Sequence, residues 1–133
     1  MTRQLSILIV DDEFGLAEMM RDLLRDYGYD VSLAINGRLA LDVLHEQPVD
    51  LVITDAMMPV MDGPELASAI RTATELRRIP IVLMTSLPTA AVSPNGLFDA
   101  VLRKPFTPDL LLETLRTCLS DRRDAGPIDD HNR

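Results

Sequence analysis

Short apolar runs rich in β-branched residues alternate with amphipathic segments along the whole chain, and this alternation constrains the fold more than any other feature. The runs are LSILIV (5–10), DVSLA (30–34), VDLVIT (49–54), IPIVLM (79–84) and DAVL (99–102). ILIV and IVLM are continuous rather than alternating, the pattern of parallel strands covered by helices on both faces. Between the runs, Leu16, Met20, Leu23, Leu24 and Tyr27 recur at helical spacing and stop at Gly28, which predicts a helix over about 14–27. Gly37 to His45 reads as a second helix. Pro64 opens a third, with Leu66, Ala67, Ile70 and Ala73 on its apolar stripe. Thr107 and Pro108 are a cap and a first-turn proline for a last helix that presents Leu111, Leu112, Leu115, Cys118 and Leu119. The stretch from Leu87 to Phe98 holds Pro88, Pro94 and Gly96, so a helix there is expected to be short or irregular.

The expected fold is therefore α/β, an open doubly wound five-stranded parallel sheet with helices on both faces. A chain of 133 residues makes one domain of this kind, expected over 1–120. Residues 121–133 lack apolar periodicity and read as a solvated C-terminal tail. The formal net charge of −8 leaves no broad basic surface for nucleic acid or an anionic membrane, so neither is expected as a partner. Cys118 is the single cysteine, which fits a reducing compartment and a small buried hydrophobe. His45 and His131 have no cysteine partners, which argues against zinc. The N-terminal apolar run is too short for a signal peptide or a membrane span, and the cytoplasm is the expected location.

In doubly wound sheets ligands bind beyond the carboxyl ends of the strands. Here those ends read Asp11-Asp12-Glu13, Asp55, Thr85-Ser86 and Arg103-Lys104-Pro105. Taken singly, the residues have ordinary roles: carboxylates at a helix start, a turn aspartate, a capping threonine, a surface lysine. Their joint placement is what calls for chemistry. Carboxylates about 4 Å apart repel by roughly 4 kcal/mol at an effective dielectric of 20, so a cation is implied. An all-oxygen donor set favours Mg²⁺. Of 13 basic residues only Lys104 is a lysine, which marks a position that needs a compact point charge.

The succession IVDDE, TDAMMPVMDG, IVLMTS and LRKPFT, spanning essentially residues 5–120, resembles the receiver domain of bacterial two-component response regulators, here of the stand-alone type. The resemblance implies a flavodoxin-like fold and a phosphorylation-controlled signalling switch. Asp55 would be the phosphoacceptor. Asp12, Asp55 and the backbone carbonyl of Met57 would bind Mg²⁺, with Asp11 acting through water. Thr85 would hydrogen-bond the phosphoryl group and Lys104 would pair with it, and Pro105 would follow a cis peptide. The donor would be a sensor histidine kinase or phosphotransfer protein, and the signal would leave through a downstream protein. Such a chain is not a conventional enzyme, although it catalyses its own phosphorylation and dephosphorylation. A phosphate-independent interaction module with the same fold and a Mg²⁺-dependent aspartyl phosphatase are the alternatives.

Several positions depart from the family pattern or tune it. Val101 stands where an aromatic usually reports the movement of the threonine, and the spacing from Thr85 to Lys104 is short for the family. With Thr85, Ser86, Val101 and Pro105 as switch positions, residues 86–98 are expected to act as a loop that orders on phosphorylation. Met57 and Leu87 occupy the positions that flank the path of the hydrolytic water, where bulky apolar side chains predict slow self-dephosphorylation.

Overall fold

The computed structural model describes residues 4–88 and 96–129, with side chains through Ser120. Five strands, β1 (Ser6–Val10), β2 (Asp30–Ala34), β3 (Leu51–Asp55), β4 (Ile81–Thr85) and β5 (Ala100–Arg103), alternate with helices α1 (Phe14–Asp26), α2 (Gly37–Glu46), α3 (Gly63–Thr72) and α4 (Pro108–Asp129). The strands form one parallel sheet in the spatial order β2-β1-β3-β4-β5. The order reverses beside β1, and crossovers on both sides of that point put helices on both faces, as the alternation predicts.

The continuous apolar runs have a direct physical cause in this arrangement. Successive strand residues point to opposite faces, and both faces are covered. Ile7 and Ile9 of β1, Leu51 and Ile53 of β3, and Val82 and Met84 of β4 pack with Ala17, Met20 and Leu24 of α1 and with Leu111, Leu112, Leu115, Cys118 and Leu119 of α4. Leu8, Val10, Val52 and Ile81 face the other way, onto Ala40 and Leu44 of α2 and Leu66, Ala67 and Ile70 of α3. Every residue of β1 and of β4 is buried. Cys118 belongs to the first of these cores, as expected for a small hydrophobe.

Local signals set the helix ends. Gly28 takes φ +94° just past α1, a conformation that favours glycine. Asn36 caps α2, its side chain accepting from Leu39 N at 2.9 Å. Asp62 and Glu65 form a reciprocal capping box at α3, and Thr107 Oγ1 accepts from Leu110 N at 3.1 Å to open α4. At the edge of the sheet away from the carboxyl ends, Arg71 acts as a brace. Its guanidinium donates to the carbonyls of Leu97, Arg77 and Ile79 and to Asp99 Oδ2, the last at 2.7 Å.

The helical backbone of α4 runs to Asp129, past the point near Ser120 where apolar periodicity ends. Between β4 and β5, residues 86–88 and 96–99 are not helical. The short helix and the ordering loop expected over 86–98 fall largely on 89–95, outside the described residues. No described helix is long and apolar enough to cross a membrane.

Candidate functional site

Parallel pairing brings the ends of β1, β3, β4 and β5 to one rim. Asp55 is the last residue of β3, its Cα paired with Met84, so Thr85 stands one step further along the neighbouring strand. Thr85 is paired in turn with Arg103, and the next residue is Lys104. Asp11 follows β1 directly, its N–H donating to Ala34 O at 3.0 Å. The rim is a product of register.

Carboxylate oxygens of Asp11, Asp12 and Asp55 all lie within 4.8 Å of one another. Asp11 is 1% exposed. Its Oδ1 accepts from Glu13 N at 2.9 Å, while its Oδ2 is buried with no hydrogen-bond partner. Burial pushes the Asp11 carboxyl above the usual aspartate range, and the Asp55 and Glu13 charges add to this; the Glu13 N–H and Lys104 act in the opposite sense. A helix-capping role for these acids is not what is found, since Glu13 occupies the cap of α1 without a side-chain capping bond. An orphaned buried carboxylate oxygen beside two further carboxylates is costly alone and suited to a hard divalent cation. The donor set therefore fits Mg²⁺.

Lys104 supplies the counter-charge. Its Nζ lies 3.2 Å from Asp55 Oδ1 and 3.9 Å from Glu13 Oε1, and its backbone N–H donates to Thr85 O at 2.8 Å. The Lys104–Pro105 peptide is cis, as the resemblance implies. Asp55 Oδ1 also accepts from Ala56 N at 3.0 Å, so one oxygen is held from two sides. The buried Thr85 hydroxyl accepts from Leu87 N at 3.0 Å. Ser86 and Pro105 are exposed, and Val101 is half-buried on β5. Phe106 packs against the α1/α4 core and Phe98 against the other.

Met57 and Leu87 are both exposed, Met57 at 75%. They stand two residues beyond Asp55 and Thr85, where the gating expectation puts bulky apolar groups. Two features were not foreseen. Gly63 donates to Ala56 O at 3.0 Å, and a Cβ on it would be driven into the carbonyl oxygen of Asp55, so only glycine lets α3 begin this close to the site. The Asp62…Glu65 spacing carried a capping signal for that helix start. The approach of Glu13 to Lys104 had no sequence signal beyond its place after the aspartate pair.

The family model for the response regulator receiver domain matches residues 7–116. Response regulator Rre1 of Synechocystis sp. is 35% identical over 95% of this chain and 58% of its own length. Transcriptional regulatory protein ZraR of Klebsiella oxytoca is 38% identical over 90% of this chain and 27% of its own. The chain thus spans about half the length, or less, of such curated relatives. Some of them are named as transcriptional regulators, so the exclusion of nucleic acid expected from charge is unsupported. Among solved structures, chemotaxis response regulator CheY4 of Vibrio cholerae superposes with a TM-score of 0.81 at 33% identity, covering 87% of this chain and 99% of that one. Response regulator TrrA of Thermotoga maritima, solved in complex with Mg²⁺-BeF, gives 0.78 at 31% identity, covering 86% and 99%.

Proposed function

The chain belongs to the response regulator receiver domain family, and from that premise we propose that it is a signalling switch whose Asp55 carboxylate accepts a phosphoryl group from the phosphohistidine of a sensor kinase or phosphotransfer protein. One observation carries the proposal. Asp55 is ion-paired at 3.2 Å with the single lysine of the chain and grouped with two more carboxylates at the sheet's carboxyl rim.

In the transfer a carboxylate oxygen of Asp55 forms the new O–P bond as the donor's N–P bond breaks, and the electron pair leaves with the imidazole nitrogen, which takes a proton from water. Lys104 stays beside the oxygens that carry the developing charge. Its flexible stem lets the ammonium follow the phosphoryl group, which arginine's planar fork does less well. Thr85 trades its bond from Leu87 N for a new role as donor to a phosphoryl oxygen, pulling the start of the β4–β5 connection toward the site. Asp11, Asp12, Asp55 and the Met57 carbonyl would hold Mg²⁺, which when bound offsets negative charge on the transferring group. The buried orphan oxygen of Asp11 supports this, as does the Mg²⁺-BeF complex of the Thermotoga relative.

Incubation with Mg²⁺ and acetyl phosphate should add about 80 Da, one phosphoryl group, by intact mass. Asp55→Ala should abolish the gain without loss of fold. Unchanged incorporation in that variant removes Asp55 from the role.

A further inference from the structure

A cavity of about 480 Å³ opens at the amino end of the sheet, between the last turn of α2 and the turn that follows α3. Its volume falls in the range, about 300–1,000 Å³, of clefts that take small organic ligands. Leu44, Val49, Leu76 and Ile79 form the apolar part of its lining, and all four are buried. Asp50 lies deepest of its three carboxylates at 3% exposure, while Glu46 and Glu75 are exposed at the mouth. His45 Nδ1 lies 3.9 Å from Glu75 Oε2, which joins the two walls on one side. Among the described residues no lysine or arginine lines the cavity.

Charge and unmet polar groups here call for a cation. Helix α2 ends at Glu46, so the negative pole of its dipole adds to the three carboxylates. Ser6 is a second and independent sign. Ile7 is paired with Leu51, so Ser6 and Asp50 stand side by side one step earlier. They are joined by bonds from Ser6 N to Asp50 Oδ2 and from Asp50 N to Ser6 O, both 2.8 Å. Alternation along the strands sends both side chains to the face of Leu8, Val10 and Val52, the face on which the cavity opens. There the Ser6 hydroxyl is buried with no hydrogen-bond partner, an arrangement that a donor reaching the base of the cavity relieves. A bare metal ion would be matched by the oxygens and not by the isobutyl and isopropyl walls. An organic cation with a methylene stem is matched by both, stem against the apolar wall and ammonium protons on the carboxylates.

We propose that this cavity binds an aliphatic diamine, with one ammonium group at Asp50 and Ser6, the other between Glu46 and Glu75 at the mouth, and the methylene chain along the apolar lining. Asp50 directly precedes β3 and Asp55 ends it, so the site lies about 16 Å from the phosphoacceptor and is separate from the acidic rim. The inference does not rest on phosphoryl transfer.

The probe is 1,5-diaminopentane, titrated by calorimetry into the full chain at about 0.15 M salt, where diffuse attraction is screened. One equivalent should bind saturably, and the amide shifts it causes should concentrate at 44–50 and 75–79. Pentylamine, with one charge, should bind at least tenfold more weakly, and 1,5-pentanediol, with none, should not bind. The double variant Glu46→Gln/Glu75→Gln, changed only at exposed positions, should lose at least tenfold in affinity. Asp26→Asn/Glu113→Gln removes the same charge from exposed positions on α1 and α4, across the sheet, and should stay within about twofold of the parent. Ser6→Ala should weaken the diamine several-fold without lowering the thermal midpoint, since the hydroxyl it removes has no partner in the free protein. Absence of saturable binding overturns the proposal, as does full affinity in Ser6→Ala. Equal losses in the two double variants also overturn it, because they reduce the binding to net charge. Shifts concentrated at Asp11, Asp12 and Asp55 overturn it by placing the cation at the acidic rim.

Discussion

Asp11→Asn should make the metal-free protein more stable at neutral pH, although it alters a fully buried side chain. The magnitude follows from the carboxylate cluster. At 4.8 Å and an effective dielectric of 20, each like-charged pair repels by about 3.5 kcal/mol. Asp12 is exposed, so its share is strongly screened, and Lys104 offsets part of the rest. Asparagine keeps the oxygen that accepts from Glu13 N and offers an N–H toward the remaining carboxylates. The net expectation is a gain of about 1–3 kcal/mol, measured by urea unfolding in EDTA with the slope unchanged. The sign of its pH dependence is fixed. Because the folded state raises the Asp11 pKa, its favourable contribution in the parent is full below the ordinary aspartate value and is lost as pH rises through the raised one. The advantage of the variant must therefore open over that interval and close again on acidification. Saturating Mg²⁺ should narrow or reverse it, since binding stabilises the parent by RT ln(1 + [Mg²⁺]/Kd) and the variant less. A variant less stable than the parent at pH 7 in EDTA, or an advantage undiminished well below the ordinary aspartate pKa, would refute the electrostatic reasoning.

Asp12→Ala should weaken Mg²⁺ binding at least tenfold while Glu13→Ala changes it little, because Glu13 lies outside the cluster of three; titration calorimetry giving equal affinities counts against this assignment. Met57→Asn and Leu87→Glu should each shorten the half-life of the phosphorylated form several-fold by orienting water where an apolar group now stands, and a half-life unmoved by either ends the gating argument. Gly63→Ala should cost about 1–3 kcal/mol by denaturant unfolding, since the clash with the Asp55 carbonyl outweighs the gain in helix propensity. An unchanged midpoint would mean that the start of α3 can shift away from the site.

The sheet was legible because its cause is local. A parallel strand buried on both faces must be apolar at consecutive positions, and ILIV and IVLM are. The placement of Asp11, Asp55, Thr85 and Lys104 at one rim followed from the same reading, since residues that end neighbouring parallel strands share an edge whatever their side chains. Less legible were features that depend on backbone groups brought from far along the chain. Arg71 is an unremarked arginine in an arginine-rich sequence, and its partners include Leu97 O, a carbonyl 26 residues away that no residue type advertises. The exclusion of a Cβ at Gly63 depends likewise on where one carbonyl of β3 ends up. The positive φ of Val60, +73°, is equally silent in the sequence, since backbone angles leave no mark in composition and a valine gives no warning of a left-handed turn. The run of helix past Ser120 had no apolar stripe to announce it.

The two-sided burial of the sheet has a bearing on how a chain like this can diverge. Ile9 answers to α1 and α4, and its neighbour Val10 to α2 and α3. Substitutions deep in opposite layers share few partners, so their effects on stability should combine almost independently, and each layer can drift at its own pace. The acidic rim has no such freedom. Asp11 is tethered by way of Val10, Asp55 extends β3 and Lys104 extends β5, so every layer feeds into the same few ångströms. Lineages can exchange one helical coat at a time, but any exchange that shifts a strand along its axis is screened at once by whether three carboxylates and a lysine still meet.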